Sequence, residues 1–231
     1  MPANIPQPKM FKKKLTRSDY FLIAANLLPV AGIWLWNWSP IEVFMVYALE
    51  TVIIGLFTIL KMGIVTAVRK TDIWYNGPSR TKQSGLFFML FFLVHYGMFI
   101  AIQTGMFIQV SGIGKSLHRG FFDFFIHWPQ YLGEDAYYML AGFFISYGFS
   151  MYWNFIRTRQ FRTISMMHLM FQPYGRIFIQ QFTVIFGSLF LELGAGKIFI
   201  IIFAAVKIFF EVFVNYDGIL NKAMDDLKNK Q

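Results

Sequence analysis

Residues 41–67 read IEVFMVYALETVIIGLFTILKMGIVTA. Twenty-seven residues as a helix extend about 40 Å at roughly 1.5 Å per residue, more than the ~30 Å of a bilayer's hydrocarbon core. The stretch holds only three charges, Glu42, Glu50 and Lys61. A segment of this length and polarity reads as a membrane span, tilted or extended past the bilayer. Its start carries a helix signal in Ser39-Pro40-Ile41-Glu42, with Ser at the cap, Pro at the first helical position and an acid two residues further on. That pattern predicts a capping box.

Five more apolar stretches follow the same logic, near residues 19–37, 86–110, 136–156, 174–193 and 197–216. Asp135 is placed to cap the fourth, and Pro173 to open the fifth. Gly194-Ala195-Gly196 predicts a tight turn joining the last two into an antiparallel hairpin. The whole chain agrees with this reading. Of 231 residues, 56% are hydrophobic, 20% aromatic and 14% charged, with 29 phenylalanines. A soluble domain carries about 25% charged residues and hides its apolar surface behind them. The mean hydropathy of +0.49 leaves no such cover. A soluble enzyme, a disordered chain and a nucleic-acid-binding domain are excluded, despite a net charge of +9.

The positive charge has another explanation in topology. Lys9, Lys12, Lys13, Lys14 and Arg17 precede the first stretch; Arg69, Lys70, Arg80 and Lys82 lie between the second and third. Arg157, Arg159 and Arg162 follow the fourth, and Lys222, Lys228 and Lys230 follow the last. In a six-span arrangement all of these fall on one side, and only Lys115, Arg119 and Lys197 on the other. Cytoplasmic loops collect Lys and Arg, so both termini are expected inside. The first stretch ends in Trp34, Trp36 and Trp38 with no small-residue cleavage site, and is read as a retained span. The expected fold is therefore an all-α polytopic bundle of six transmembrane helices in a bacterial-type inner membrane. Residues 1–18 form a basic cytoplasmic tail, 19–216 one domain, and 217–231 a second tail. An aromatic segment near 117–131, with Phe121, Phe122, Phe124, Phe125 and Trp128, is expected at headgroup level.

Two small-residue stripes, Gly97/Ala101/Gly105 and Gly142/Ser146/Ser150, predict close helix contacts. Charge at membrane depth needs a reason, since insertion costs about 2.5–3.5 kcal/mol per group. Glu50, His95 and Lys207 fall near the midplane, with Lys61, Glu211 and Arg176 closer to the cytoplasm. Glu50 and Lys61 are eleven residues apart and share a helix face; Lys207, Glu211 and Asn215 recur every four and share another. Crosswise pairing, Glu50 with Lys207 and Lys61 with Glu211, would neutralise all four charges. Gln103, Gln180, Gln181 and Asn215 are secondary polar candidates. Two readings stand. The pairs lock the bundle, or Glu50, His95, Lys207 and Arg176 line a cavity.

Catalytic signatures are missing. There is no H-E-x-x-H, the four histidines lack zinc spacing, and cysteine is absent. Ser111-Gly112-Ile113-Gly114-Lys115-Ser116 imitates the end of a phosphate loop, but Gln109 stands where the first glycine belongs. No catalytic residue, cofactor or metal is assigned. The expected partners are the bilayer and a small anionic ligand or lipid headgroup, with no nucleic acid. The expected role is a small transporter or ligand-binding protein. A membrane enzyme acting on a lipid-borne substrate and a non-catalytic scaffold are the alternatives.

Several strings carry a resemblance. Asn26-Leu27-Leu28-Pro29-Val30-Ala31-Gly32, Trp38-Ser39, Tyr47-Ala48-Leu49-Glu50, His95-Tyr96-Gly97, Tyr174-Gly175-Arg176 and Lys207 with Glu211 resemble a family of uncharacterised bacterial multi-pass membrane proteins. The resemblance implies six helices and supplies no reaction. It also implies relatives with histidine at the positions of Gln103, Gln181 and Asn215, so that a histidine-rich centre is depleted here.

Overall fold

A computed structural model describes residue 11 and residues 14–76, 79–110 and 126–229. The molecule is mostly helical. Helix α1 spans Arg17–Leu35 and starts on a capping box that Thr16 and Asp19 build. The Thr16 N–H donates to Asp19 Oδ2 at 2.7 Å, and the Asp19 N–H donates to Thr16 Oγ1 at 3.4 Å. After α1 the chain turns through Asn37, at φ +56°, and Trp38 folds back on Gly32.

Helix α2, Pro40–Arg69, is the central post. Every residue from Val43 to Thr51 is buried, because other helices surround it. That is why its sequence is apolar all round rather than on one face. The expected capping box is not formed. Ser39 makes no side-chain cap, and Glu42 instead accepts the Gly133 N–H at 3.3 Å, tying α2 to the residue before the helix that begins at Glu134.

The connection after α2, read from sequence as a loop, is a two-stranded antiparallel hairpin of β1 (Thr71–Asn76) and β2 (Ser79–Ser84). Its Thr71-Asp72-Ile73-Trp74-Tyr75 run followed by Asn76-Gly77 is a strand-and-turn signal. Trp74 packs on Phe87, Phe88 and Phe91 of α3. Helix α3 runs Gly85–Val110, and Gly85 is there because a Cβ would meet Thr66 at 2.2 Å.

Helix α4, Glu134–Ser150, follows a 3-10 turn at Trp128–Tyr131 and continues as a π-helical segment, Met151–Ile156. Asp135 sits in its first turn, and Gly133 holds the cap position expected for the acid. A short α5, Met166–Phe171, is capped by Asp72, whose carboxylate accepts the Met166 N–H at 2.7 Å. Helix α6, Tyr174–Glu192, turns through Gly194 (φ +71°) into α7, Gly196–Ile208. That is the tight turn the two glycines predict. Helix α7 also ends in a π segment, Phe209–Phe213, before α8, Tyr216–Asn229.

Buried apolar side chains from α1 to α8 form one continuous core. Outward faces are apolar too: Val94 is 72% exposed and Phe178 65%. Among the described residues, three helices are long and apolar enough to cross a membrane, at residues 17–35, 40–69 and 85–106. The stripe on α4 works as a contact, since a Cβ on Gly142 would touch Leu28 at 3.5 Å. On the α3 stripe, a Cβ at Gly97 would meet nothing within 4 Å among the described residues. Residues 117–125 of the expected aromatic segment, and the phosphate-loop imitation, lie outside the described residues.

Candidate functional site

Glu50 sits on α2 with Tyr47 and Thr51, three residues before and one after, where the helix is enclosed. Its carboxylate has no solvent exposure and meets the Lys207 ammonium of α7. Both oxygens are further engaged. Tyr147 of α4 donates its hydroxyl to Oε1 at 2.6 Å, and Gln180 of α6 donates Nε2 to Oε2 at 3.2 Å. Gln180 also donates to the Tyr47 carbonyl at 3.0 Å and accepts from Thr51 Oγ1 at 2.6 Å. Tyr96 of α3 donates to the Thr51 carbonyl at 2.9 Å. The Lys207 ammonium rests over the rings of Tyr47 and Phe143, at 4.7 and 4.6 Å. Five helices thus contribute to one buried charge pair and its surroundings. Burying two charges is tolerable only when each has such partners.

Beside it lies a partly enclosed polar cavity of about 300 Å³. Its walls come from one end of the bundle, where α1 and α6 begin and α2, α4 and α7 finish. Lys61, Arg176, Glu211, Asp19, Asp217, Tyr147 and Ser146 are among the residues that line it. Both π segments face it, through Asn154 and Phe155 on one and Glu211 on the other. Such bulges inside helices occur often at functional sites, because they re-aim side chains.

Lys61 and Glu211, expected to pair, do not. The π turn at Phe209–Phe213 adds a residue to the local repeat and breaks the four-residue spacing that put Glu211 in line with Lys207. Glu211 meets Arg176 instead, Oε1 to Nε at 3.9 Å, and Arg176 lies over the Tyr147 ring at 5.1 Å. Tyr147 therefore touches both the cavity cation and the buried carboxylate. Lys61 contacts the Phe155 ring at 5.8 Å and makes no hydrogen bond or ion-pair contact among the described residues, while the Asp217 carboxylate acts on it electrostatically from farther off. Glu211 Oε2 and Ser146 Oγ are buried without a hydrogen bond.

In the cavity lining, Asp217, in the first turn of α8, accepts from Gln172 at 2.8 Å and lies 3.6 Å from His168 Nε2. Burial alone would raise its carboxyl. The His168 and Gln172 hydrogen bonds and the charges of His168 and Arg176 outweigh that and bring it down to about 2.

The other candidates lie elsewhere. His95, expected at the depth of Glu50, is not with it. Its Nδ1 shares a 2.6 Å hydrogen bond with the Tyr174 hydroxyl, between Phe91 and Phe99. Depth along a helix does not set rotation about it; Tyr96, one residue on, is what faces α2. Gln103 is buried with its carbonyl oxygen unpartnered, Gln181 reaches Met106 Sδ at 3.5 Å, and Asn215 Oδ1 accepts the Gly218 N–H at 3.1 Å. The sequence reading passed over Tyr147, Thr51 and Ser146. Ser146 sits on the small-residue stripe of α4 with Tyr147 directly after it, and Tyr47, Glu50 and Thr51 share one face of α2. Among the described residues no three His, Asp or Glu side chains are grouped to hold a metal.

By class, then, this is a helical bundle with helices of membrane-spanning length, an enclosed ion pair and a polar cavity next to it. The chain belongs to the family of unknown function DUF6498, which it matches over residues 9–231. No curated protein and no solved structure matches it.

Proposed function

We propose that the protein is a six-span protein of a bacterial inner membrane, both termini cytoplasmic, which takes a small anionic solute into its polar cavity as a transporter or solute-binding protein. The three other apolar stretches support the topology, being helical at residues 134–156, 174–192 and 196–213. So does the distribution of charge. Arg17, Arg69, Lys70, Arg157, Arg159 and Arg162 lie at the cavity's end of the bundle, and Trp34, Trp36, Trp38 and Trp128 at the other, as interfacial tryptophans do. The outward faces need lipid rather than water.

One observation carries the solute reading. Lys61 brings an ammonium into a partly enclosed cavity with no carboxylate in ion-pair contact among the described residues, Asp217 acting on it only from farther off. Arg176, held over Tyr147, is the second cation there, and its planar guanidinium suits a carboxylate or phosphate. Glu50 and Lys207 lie behind the cavity wall, and Tyr147, which lines the cavity and donates to Glu50, is the link between them. Because both Glu50 oxygens are already engaged by Lys207, Tyr147 and Gln180, the pair's own role is to hold the bundle. The test is binding of acetate, small carboxylates and inorganic phosphate to the full chain in lipid nanodiscs, by calorimetry. At least one binds at millimolar or lower concentration, and Lys61→Met weakens it tenfold or more, about 1.4 kcal/mol. Equal binding by Lys61→Met contradicts the assignment.

A further inference from the structure

Lys61 asks for an anion, but the cavity contains a second, opposite demand. The Glu211 side chain is 1% exposed, and only Oε1 faces a partner, Arg176 at 3.9 Å. Oε2 accepts nothing, and Ser146 Oγ, elsewhere in the cavity lining, is equally unpartnered. Thr58, also in the wall, is already committed through its hydroxyl to the Ile54 carbonyl at 2.9 Å. A simple anion would answer Lys61 and leave Glu211 Oε2 without a donor, with a second negative charge added in a site of low dielectric. A simple cation would answer Glu211 and leave Lys61 repelled. One molecule carrying both charges answers both.

We propose that the occupant is a small zwitterion, its anionic group between Lys61 and Arg176 and its N–H-bearing ammonium donating to Glu211 Oε2. This rests on the reading of the cavity as a solute site and sharpens it. The volume, about 300 Å³, fits a molecule of amino-acid size. The walls also discriminate among zwitterions. A quaternary ammonium has no N–H to give Glu211, and it is normally held by free aromatic faces. Here the Tyr147 face is taken by Arg176 and the Phe155 face by Lys61. Primary amines are therefore selected over their trimethylated counterparts.

The same chemistry exists free in solution and on an ethanolamine lipid headgroup. Calorimetry on the full chain in nanodiscs separates these. The probes are glycine, β-alanine and phosphoethanolamine, with acetate, methylamine and glycine betaine as partial analogues. The best primary-amine zwitterion binds at least tenfold tighter than acetate, methylamine or betaine. Glu211→Gln cuts its advantage over acetate to about twofold or less. A free solute binds alike in nanodiscs with and without phosphatidylethanolamine. A lipid occupant shows as loss of probe binding when that lipid is present and as its enrichment among co-purified lipids. If acetate binds as tightly as every zwitterion, the zwitterion is wrong while the anion site stands. If the preference survives in Glu211→Gln, the ammonium is not at Glu211. Should Glu211→Gln fail to fold, the wild-type ranking of probes decides alone. If no probe binds and no lipid is enriched, both readings fall.

Discussion

Lys207→Met is expected to destabilise the protein by about 3–5 kcal/mol, and Glu50→Gln combined with it to recover most of that loss. The single change leaves the Glu50 carboxylate charged, with no solvent exposure and with only the Tyr147 hydroxyl and the Gln180 amide to compensate it. Neutral donors do not replace an ammonium at contact distance. In the double variant no charge remains, and the new amide oxygen still accepts from Tyr147. Methionine fills the lysine's volume against Tyr47 and Phe143, whose rings now pack on an apolar chain. Unfolding in mixed micelles is the measurement. The double variant should lie within about 1 kcal/mol of wild type, as buried ion pairs exchanged for neutral groups commonly do. A double variant as unstable as Lys207→Met alone would mean that the ion pair contributes net stability, and one as unstable as the sum of the singles would mean that the two side chains do not interact.

Gly32→Ala is expected to be the most damaging single methyl addition in the bundle. The new Cβ would lie 1.9 Å from Trp38 Cε3 and 2.2 Å from Cδ2, distances no pair of carbons can hold. The Gly32 carbonyl meanwhile accepts both the Trp36 and the Trp38 N–H, at 3.0 and 3.1 Å, so the backbone is not free to retreat. Trp38, 7% exposed, must leave its pocket. Overpacking of this kind costs about 1–3 kcal/mol. Gly97→Ala is the internal control, because nothing among the described residues lies within 4 Å of its Cβ site. There the lower backbone entropy of alanine should leave stability unchanged or raise it by about 0.4–1 kcal/mol. Thermal unfolding should separate the two, and tryptophan emission should shift to the red in Gly32→Ala alone. A neutral Gly32→Ala would mean that Trp38 is not seated on α1.

Much of this was legible in the residues, and the rest was hidden for definite reasons. The apolar stretches announce their helices because a span must be apolar along its whole length. Glu50 and Lys207 announce themselves because ionised groups are rare at such depth. Helix rotation is another matter. A uniformly apolar helix such as α3 carries no amphipathic phase, so nothing in the sequence tells that Tyr96 faces α2 while His95 faces Tyr174. Phase is lost again at Glu211, where the chain slips into a π turn that no residue type announces. The β-hairpin was legible in Asn76-Gly77 but masked by the expectation of a short cytoplasmic loop. Ser146 reads as a packing residue, and only the cavity beside it gives its hydroxyl another meaning.

The central claim is a polar cavity inside a six-span bundle, opening to the cytoplasm. The chain has no cysteine, so a single introduced thiol reports without background. Ser150→Cys, on the cavity wall, and Glu134→Cys, exposed at the opposite end of α4, are the two probes. With a charged, membrane-impermeant maleimide, Ser150→Cys should react in inside-out vesicles and stay unlabelled in right-side-out ones. Glu134→Cys should do the reverse. Labelling of both thiols from the same side, or of Ser150→Cys only from outside, contradicts the account.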